Sequence, residues 1–168
     1  MTLAAIGLGS NLAHPRRQIA RAQHALVRLP RTRVLAVSRN YLTAPIGTTG
    51  PQPDYVNAVA IVDTSLTPRA LLARLFEIER RQRRRRDPVG PRNAARTLDL
   101  DLLLFSSRRL HAPGLSLPHP RMHLRGFVLV PLVEIAPHAA IPGRGLASRA
   151  LRAVRNQRVV PTRVHVSR

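Results

Sequence analysis

The chain has 168 residues, with 28 basic side chains against 8 acidic ones, a formal net charge of +20, and only 3% aromatics within a hydrophobic fraction of 44%. A chain of this length buries a real core as a single domain, 1–168, built mostly of Leu, Val, Ile and Ala. The absence of Cys excludes a disulfide scaffold and any thiolate metal site, no run approaches the ~20 apolar residues of a membrane span, and MTLAAIGLGSN lacks the basic start of a secretory leader, so a soluble cytoplasmic protein is expected.

Residues 2–8, TLAAIGL, read as a short buried strand running into the turn chemistry of Gly9-Ser10-Asn11. Pro15 suits a first helical turn, and Ile19, Ala22, Leu26 and Leu29 then share one helical face up to Pro30. A second strand is expected over 32–43, TRVLAVSRNYLT, and a third over 54–64, separated by the Gly-, Pro- and Thr-rich loop 44–53. Thr67 is placed to cap a second helix with Pro68 at its first position, and Leu71, Leu75 and Ile78 form its apolar face. The basic loop 80–96 leads into a fourth strand, 98–105. Beyond it, 110–125 reads as Pro-punctuated extended chain, 126–137 as a short helix or turn broken at Pro131 and Pro137, and 146–155 as a helical tail. The order β-α-β-β-α-β is the ferredoxin-like split βαβ pattern, an α+β fold whose antiparallel sheet carries both helices on one face.

The fourth strand contains the chain's sharpest signal. RTLDLDLLLF sets Asp99 and Asp101 into its most apolar run, and ionised carboxylates are costly to bury without a partner. Alternation along a strand puts Asp99 and Asp101 on one face, roughly 6.5 Å apart at Cα for a rise of ~3.3 Å per residue, and Leu98, Leu100 and Leu102 on the other. Two hard oxygen ligands at that spacing suit Mg²⁺ completed by substrate phosphates, or a pair of such ions. The plainer reading is a solvated sheet face answered by nearby arginines. With an Arg-rich loop running into the strand, carboxylates and guanidinium groups together make the parts list of a nucleoside triphosphate site.

The blocks IGLGSNL (6–12), YLTAPIG (41–47), QPDYVNAV (52–59), LLARLFEIE (71–79), ARTLDLDLLLF (95–105), LSLPHPRM (115–122) and RGFVLVPLVEIAP (125–137) together resemble the 6-hydroxymethyl-7,8-dihydropterin pyrophosphokinase family. The resemblance implies a ferredoxin-like fold and transfer of the pyrophosphoryl group of ATP to the pterin's hydroxymethyl oxygen, with AMP leaving. It implies that Asp99 and Asp101 hold two Mg²⁺ ions and that Arg84 and Arg96 contact the phosphates as catalytic arginines. Leu72, Leu102, Ser116, His119 and Arg125 are implied as nucleotide contacts. Thr43, Pro45, Ile46, Tyr55, Asn57 and Phe127 are implied as pterin contacts, with the Asn57 amide matching the ring's mixed donor and acceptor edge. The loops 44–53 and 80–95 would close over both substrates. The partners are then two small molecules, ATP and hydroxymethyldihydropterin, bound by a monomer with no specific nucleic acid and no membrane.

Four positions depart from the family pattern: Arg83 stands where Gly precedes the loop arginine, Ala95 where Pro is usual, Gly114 where some members carry Arg, and no Trp is present to cover the pterin. The rival reading is a basic ferredoxin-like RNA- or DNA-binding module, suggested by RRQRRRR and the total charge. That module needs strand aromatics to stack bases and gives no reason for the paired acids. All fixed positive charge is Arg, with no Lys, which also fits Arg written wherever Lys would serve.

Overall fold

The computed structural model describes residues 1–45, 51–82 and 97–162. The strands of its main, antiparallel sheet are β1 (Thr2–Ser10), β2 (Thr32–Val37), β3 (Tyr41–Thr43), β4 (Tyr55–Thr64), β5 (Asp99–Phe105) and β10 (Val159–Pro161). They lie in the order β10-β3-β4-β1-β5, and β2 also pairs with β4. Helices α1 (Pro15–Val27) and α2 (Pro68–Arg81) follow β1 and β4, as the ferredoxin-like order requires. Two small hairpins, β6 (Leu110–Ala112) with β7 (Leu115–Leu117) and β8 (Ala140–Ile141) with β9 (Gly145–Leu146), decorate the C-terminal third. Helices α3 (Gly126–Ile135) and α4 (Ala147–Ala153) complete the fold. Among the described residues no helix is long and apolar enough to cross a membrane.

The expected apolar faces are the ones that bury. Ile19, Ala22 and Leu26 of α1 and Leu71, Leu75 and Ile78 of α2 pack on Ile6, Leu8, Leu98, Leu100 and Leu102 in one cluster. Thr67 caps α2 by accepting the Ala70 amide at 3.2 Å. The start of β5 is pinned from two sides. Ser10 Oγ donates to the Thr97 carbonyl at 2.6 Å, and Glu79 of α2 accepts the Leu100 amide at 2.7 Å. Glu79 is only 1% exposed and sits at the helix end where the macrodipole disfavours an acid, so its partners must hold it there. Glu79→Ala is expected to lower the unfolding free energy by about 2–3 kcal/mol in a urea titration, because it strands a buried amide and opens a void. A loss below 0.5 kcal/mol would show that the strand edge does not depend on it.

Three elements differ from the sequence reading. The expected strand 32–43 is two strands, β2 and β3, that share one edge of β4. Ser38 makes the break: its amide donates to the Val59 carbonyl and its hydroxyl accepts the Val59 amide, both at 2.9 Å, so a side chain replaces one rung. The segment 126–137 is not broken at Pro131: α3 runs through it, with Val128, Leu129, Pro131 and Leu132 all buried. Burial on both sides outweighs the proline's missing donor. Finally, the register of β1 on β5 slips between Ala5 and Ile6, so Leu103 is the extra residue of a bulge. Leu102 and Phe105 therefore face α1 and α2, whereas Leu103 and Leu104 face the second core with α3 and α4.

Candidate active site

The second sheet face is divided. Its lower half, Ala5, Val59, Leu103 and Leu104, lies under Val128, Leu129, Leu132, Ala147 at the start of α4 and Val154 just past its end. Its upper half is polar and open. There Gly7 pairs with Asp101 and Gly9 with Asp99 on one side, and Gly9 pairs with Asn57 on the other. The result is a cavity of about 320 Å³ whose floor includes Gly7 and Gly9 and whose walls include both aspartates, Asn57, His119, Arg125 and Phe127. A side chain at Gly9 would put its Cβ 3.0 Å from Asn57 Oδ1, so the floor must be glycine there for the amide to keep its place.

Asp99 and Asp101 share this cavity, as their spacing requires. Around them stand cationic and polar groups: His119 Nε2 and Arg125 Nη1 each lie 3.9 Å from Asp101 Oδ2, and the Arg125 guanidinium stacks 5.4 Å from the Phe127 ring centre. Arg121 lines the cavity too. Burial, then the charges of Arg125 and Arg121, push the His119 imidazole down to about 4, against a smaller opposing pull from Asp99. Neutral His119 accepts the Arg121 amide on Nδ1 at 3.3 Å, so its proton is on Nε2, toward Asp101. A folded value below the unfolded one means that the unfolded chain binds the extra proton first as pH falls. In metal-free protein with chelator, the His119 contribution is therefore present above pH ~6.5 and lost between there and about pH 4. His119→Asn is expected to flatten the fall of Tm over that window in a pH-series melt. Parallel curves for the two proteins would contradict it.

Of the residues expected to hold the pterin, Thr43, Tyr55 and Asn57 come from β3 and β4, and Phe127 from the start of α3. Asn57 is 5% exposed and its amide donates to Thr43 Oγ1 at 2.7 Å, which fixes which way the group faces. Tyr55, Asn57, Thr43 and Phe127 all line the cavity. Pro45 does not; its neighbour Ala44, the first residue after β3, does. Ile46 lies outside the described residues. The expected turn at Gly9-Ser10-Asn11 starts later, because Gly9 and Ser10 still pair as the last residues of β1; Asn11, just past the strand, donates from Nδ2 to Gln52 Oε1 at 3.3 Å and to the Pro53 carbonyl at 3.2 Å, holding the approach to Tyr55.

A second, more open groove of about 610 Å³ runs outside β5 between α2 and the β6–β7 hairpin. It takes Leu72, Leu102, Ser116 and His119 of the expected nucleotide contacts, with Phe76 and Leu115 beside them. Ser116 Oγ lies 2.9 Å from His111 Nδ1 across the hairpin. Arg125 belongs to the inner cavity rather than to this groove. Asp101 and His119 border both spaces. Gly114, at φ +73°, forms the hairpin turn in the groove wall, a conformation that an arginine would strain. Arg84 and Arg96, and with them Arg83 and Ala95, lie outside the described residues.

Sequence reasoning missed the glycine floor, Glu79 and Arg121. Two glycines at i and i+2 in a strand, facing D-x-D across one rung each, were the available signal. The sheet face that an RNA-recognition module would offer is half covered by α3 and α4, and Tyr41 and Phe105 are buried. No row of stacking aromatics remains on it, since the chain has only 2 Tyr, 3 Phe and no Trp.

A model of the 7,8-dihydro-6-hydroxymethylpterin-pyrophosphokinase (HPPK) family matches residues 5–137. The 2-amino-4-hydroxy-6-hydroxymethyldihydropteridine pyrophosphokinase of Pseudomonas aeruginosa is 50% identical over 143 residues, covering 84% of this chain and 85% of that protein. The Haemophilus influenzae protein of the same name is 39% identical over 160 residues, 95% of this chain and 98% of that one. Among solved structures, wild-type Plasmodium falciparum HPPK-DHPS with pteroate superposes with a TM-score of 0.69 at 13% identity, over 90% of this chain and 42% of that one, a likeness of fold. The order of the strands, the paired carboxylates and these matches lead to one assignment: the chain belongs to the 7,8-dihydro-6-hydroxymethylpterin-pyrophosphokinase family.

Proposed function

We propose that this chain, as a one-domain monomeric cytoplasmic enzyme, moves the terminal pyrophosphoryl group of ATP onto the hydroxymethyl oxygen of 6-hydroxymethyl-7,8-dihydropterin in folate biosynthesis. The observation that carries this reading is the wall common to both spaces: Asp101 and His119 border the inner cavity and the outer groove, so ligands in the two meet at the carboxylates. The nucleotide lies in the groove, its base against Leu72 and Leu102 and its sugar near Ser116. Its phosphates pass His119 toward Asp99, Asp101 and Arg125, with Arg84 and Arg96 as further phosphate contacts. The pterin fills the cavity, with the Asn57 amide on its polar edge, Phe127 against its face and Tyr55 and Thr43 around it; Pro45, next to the lining residue Ala44, and Ile46 are further pterin contacts.

The carboxylate pair fits Mg²⁺. Its donors are hard oxygens, and among the described residues no three His, Cys, Asp or Glu side chains cluster as metal ligands, so phosphate and water oxygens would complete the shell. Two such ions, when bound, neutralise charge along the triphosphate. The chain's own groups do the rest. The hydroxymethyl oxygen bonds to the β-phosphorus, the bond from that phosphorus to the α–β bridging oxygen breaks, AMP leaves with that oxygen, and the hydroxyl proton passes to solvent. His119 is a poor acceptor for that proton, because its value near 4 leaves it a weak base and its Nε2 already carries a hydrogen. Its Nε2–H donates to a phosphate oxygen instead. Arg125, a fixed cation, offsets charge on the transferred group. Catalysis rests on holding the two reactants in line in a closed space.

A coupled assay for AMP with ATP, Mg²⁺ and 6-hydroxymethyl-7,8-dihydropterin tests this reading. Pterin-dependent AMP release and a pterin diphosphate by mass support it. ADP with a pterin monophosphate, or no AMP above the ATP-only rate, overturns it.

A further inference from the structure

Helix α3 starts without a cap of its own: its N-cap residue is Arg125, which makes no side-chain capping bond. The first amides of a helix need acceptors from elsewhere. The acceptor comes from 31 residues further along the chain. Gln157 Oε1 accepts the Gly126 amide at 2.7 Å, and Gln157 Nε2 donates to the Leu124 carbonyl at 2.9 Å. One side-chain amide therefore grips the backbone on both sides of Arg125. Gly126 is where this grip comes closest. A Cβ there would stand 3.1 Å from Gln157 Oε1, 3.2 Å from its Cβ and 3.3 Å from Val159 Cγ2.

The segment that carries Gln157 is anchored at several further points. The Gln157 amide donates to the Val154 carbonyl at 3.0 Å, at the end of α4. Arg158 pairs with Asp54, next to Tyr55, at 3.3 Å. Val159–Pro161 forms β10 on β3, with Val159 opposite Thr43, and the Thr162 amide donates to the Asn40 carbonyl at 2.8 Å. The strap 157–162 thus touches the backbone that carries Arg125 and Phe127 and also the strand that carries Thr43, which lie on two walls of one cavity.

We propose that Gln157 is a positioning residue for the pterin pocket, setting the Arg125–Phe127 wall against the Thr43–Asn57 wall through the C-terminal strap. This inference rests on the reading of the cavity as the pterin site. Gln157 touches no substrate. It removes the freedom of the turn before α3, so that Phe127 stands ready to stack and Arg125 stays beside Asp101 before ligand arrives.

The test uses the full chain with Gln157→Met, which keeps the length and loses both bonds, and Gly126→Ala, which pushes on the strap from the opposite side. Affinity for the fluorescent 6-hydroxymethylpterin is read beside affinity for a nonhydrolysable ATP analogue, well below each variant's Tm. Amide exchange at Gly126 is followed in parallel. Both variants are expected to weaken pterin binding about tenfold or more. Nucleotide binding, held also from the groove, should fall less, and Gly126 exchange should quicken in Gln157→Met. Arg155→Ala, which changes an exposed side chain two residues before Gln157 that makes none of the strap's contacts, should stay within about twofold. A folded Gln157→Met protein with native pterin affinity overturns the proposal, because a merely stabilising contact would move Tm and leave affinity alone. Fast Gly126 exchange in the unaltered protein overturns it as well, whether or not a variant folds. An unaltered protein with slow Gly126 exchange that binds no pterin sinks instead the reading of the cavity.

Discussion

Asp101→Ala is expected to lower turnover by about three orders of magnitude while the fold survives, because electrostatic stabilisation of the transferring group is worth several kcal/mol and each 1.4 kcal/mol is tenfold. Asp101 is the larger effect of the pair, since it alone of the two borders both the inner cavity and the outer groove. Asp99→Ala removes a carboxylate from the inner cavity only and should follow closely. The fold should hold because each aspartate faces a glycine across the ladder and neither takes part in the leucine core. Steady-state AMP formation at saturating Mg²⁺, with circular dichroism as a check on folding, measures this. Turnover within tenfold of the parent in a folded Asp101→Ala protein would falsify the assignment of the carboxylates. Asp101→Asn separates charge from shape: it keeps an oxygen at the site and should lose nearly as much.

The second large effect falls on the other substrate. Asn57→Ala removes a buried amide whose orientation is set by its bond to Thr43. A ring edge that meets no partner on a buried wall loses about 2–3 kcal/mol, or roughly 30–150-fold in pterin affinity. ATP-analogue affinity should stay within about threefold, because the groove does not include Asn57. Isothermal titration with each ligand in turn reads both numbers. An equal loss for the two ligands would mean that the variant had disturbed the shared wall rather than the pterin edge. Asn57→Asp offers a finer comparison. It keeps the size and lets the Thr43 hydroxyl donate, yet buries a carboxyl and swaps a donor for an acceptor, so it should lower Tm as well as weaken pterin.

Much of this was legible in the residues. Ile19, Ala22 and Leu26 recur at helical spacing and are fully buried, as are Leu71 and Leu75. The two aspartates stand out because period two forces them onto one face, and that face is the cavity. What the periodicity hid were exceptions carried by single contacts. Nothing in TRVLAVSRNYLT marks Ser38 as the point where its hydroxyl takes the place of a rung opposite Val59. The run LLLF has no polar residue to show where its alternation slips. Pro131 argues for a break by propensity, and only the two-sided burial of α3 shows why there is none. The place of Arg125 beside Asp101 and Phe127, instead of in the groove, depends on a turn whose anchor is Gln157. Long-range anchors of that kind leave no local pattern to read.

The slip at Leu103 divides β5 into two parts with separate obligations. Before it, Asp99 and Asp101 answer to Gly9 and Gly7; after it, Leu104 and Phe105 answer to Ala5 and Ala4. Drift in the second part, one aliphatic residue for another, need not reach the first. A change in length need not reach it either. Deleting one leucine from the run would remove the slip and leave Asp101 on Gly7 and Leu104 on Ala5, with every remaining side chain on its present face. The extra leucine therefore adds one aliphatic side chain to the second core without turning the acids.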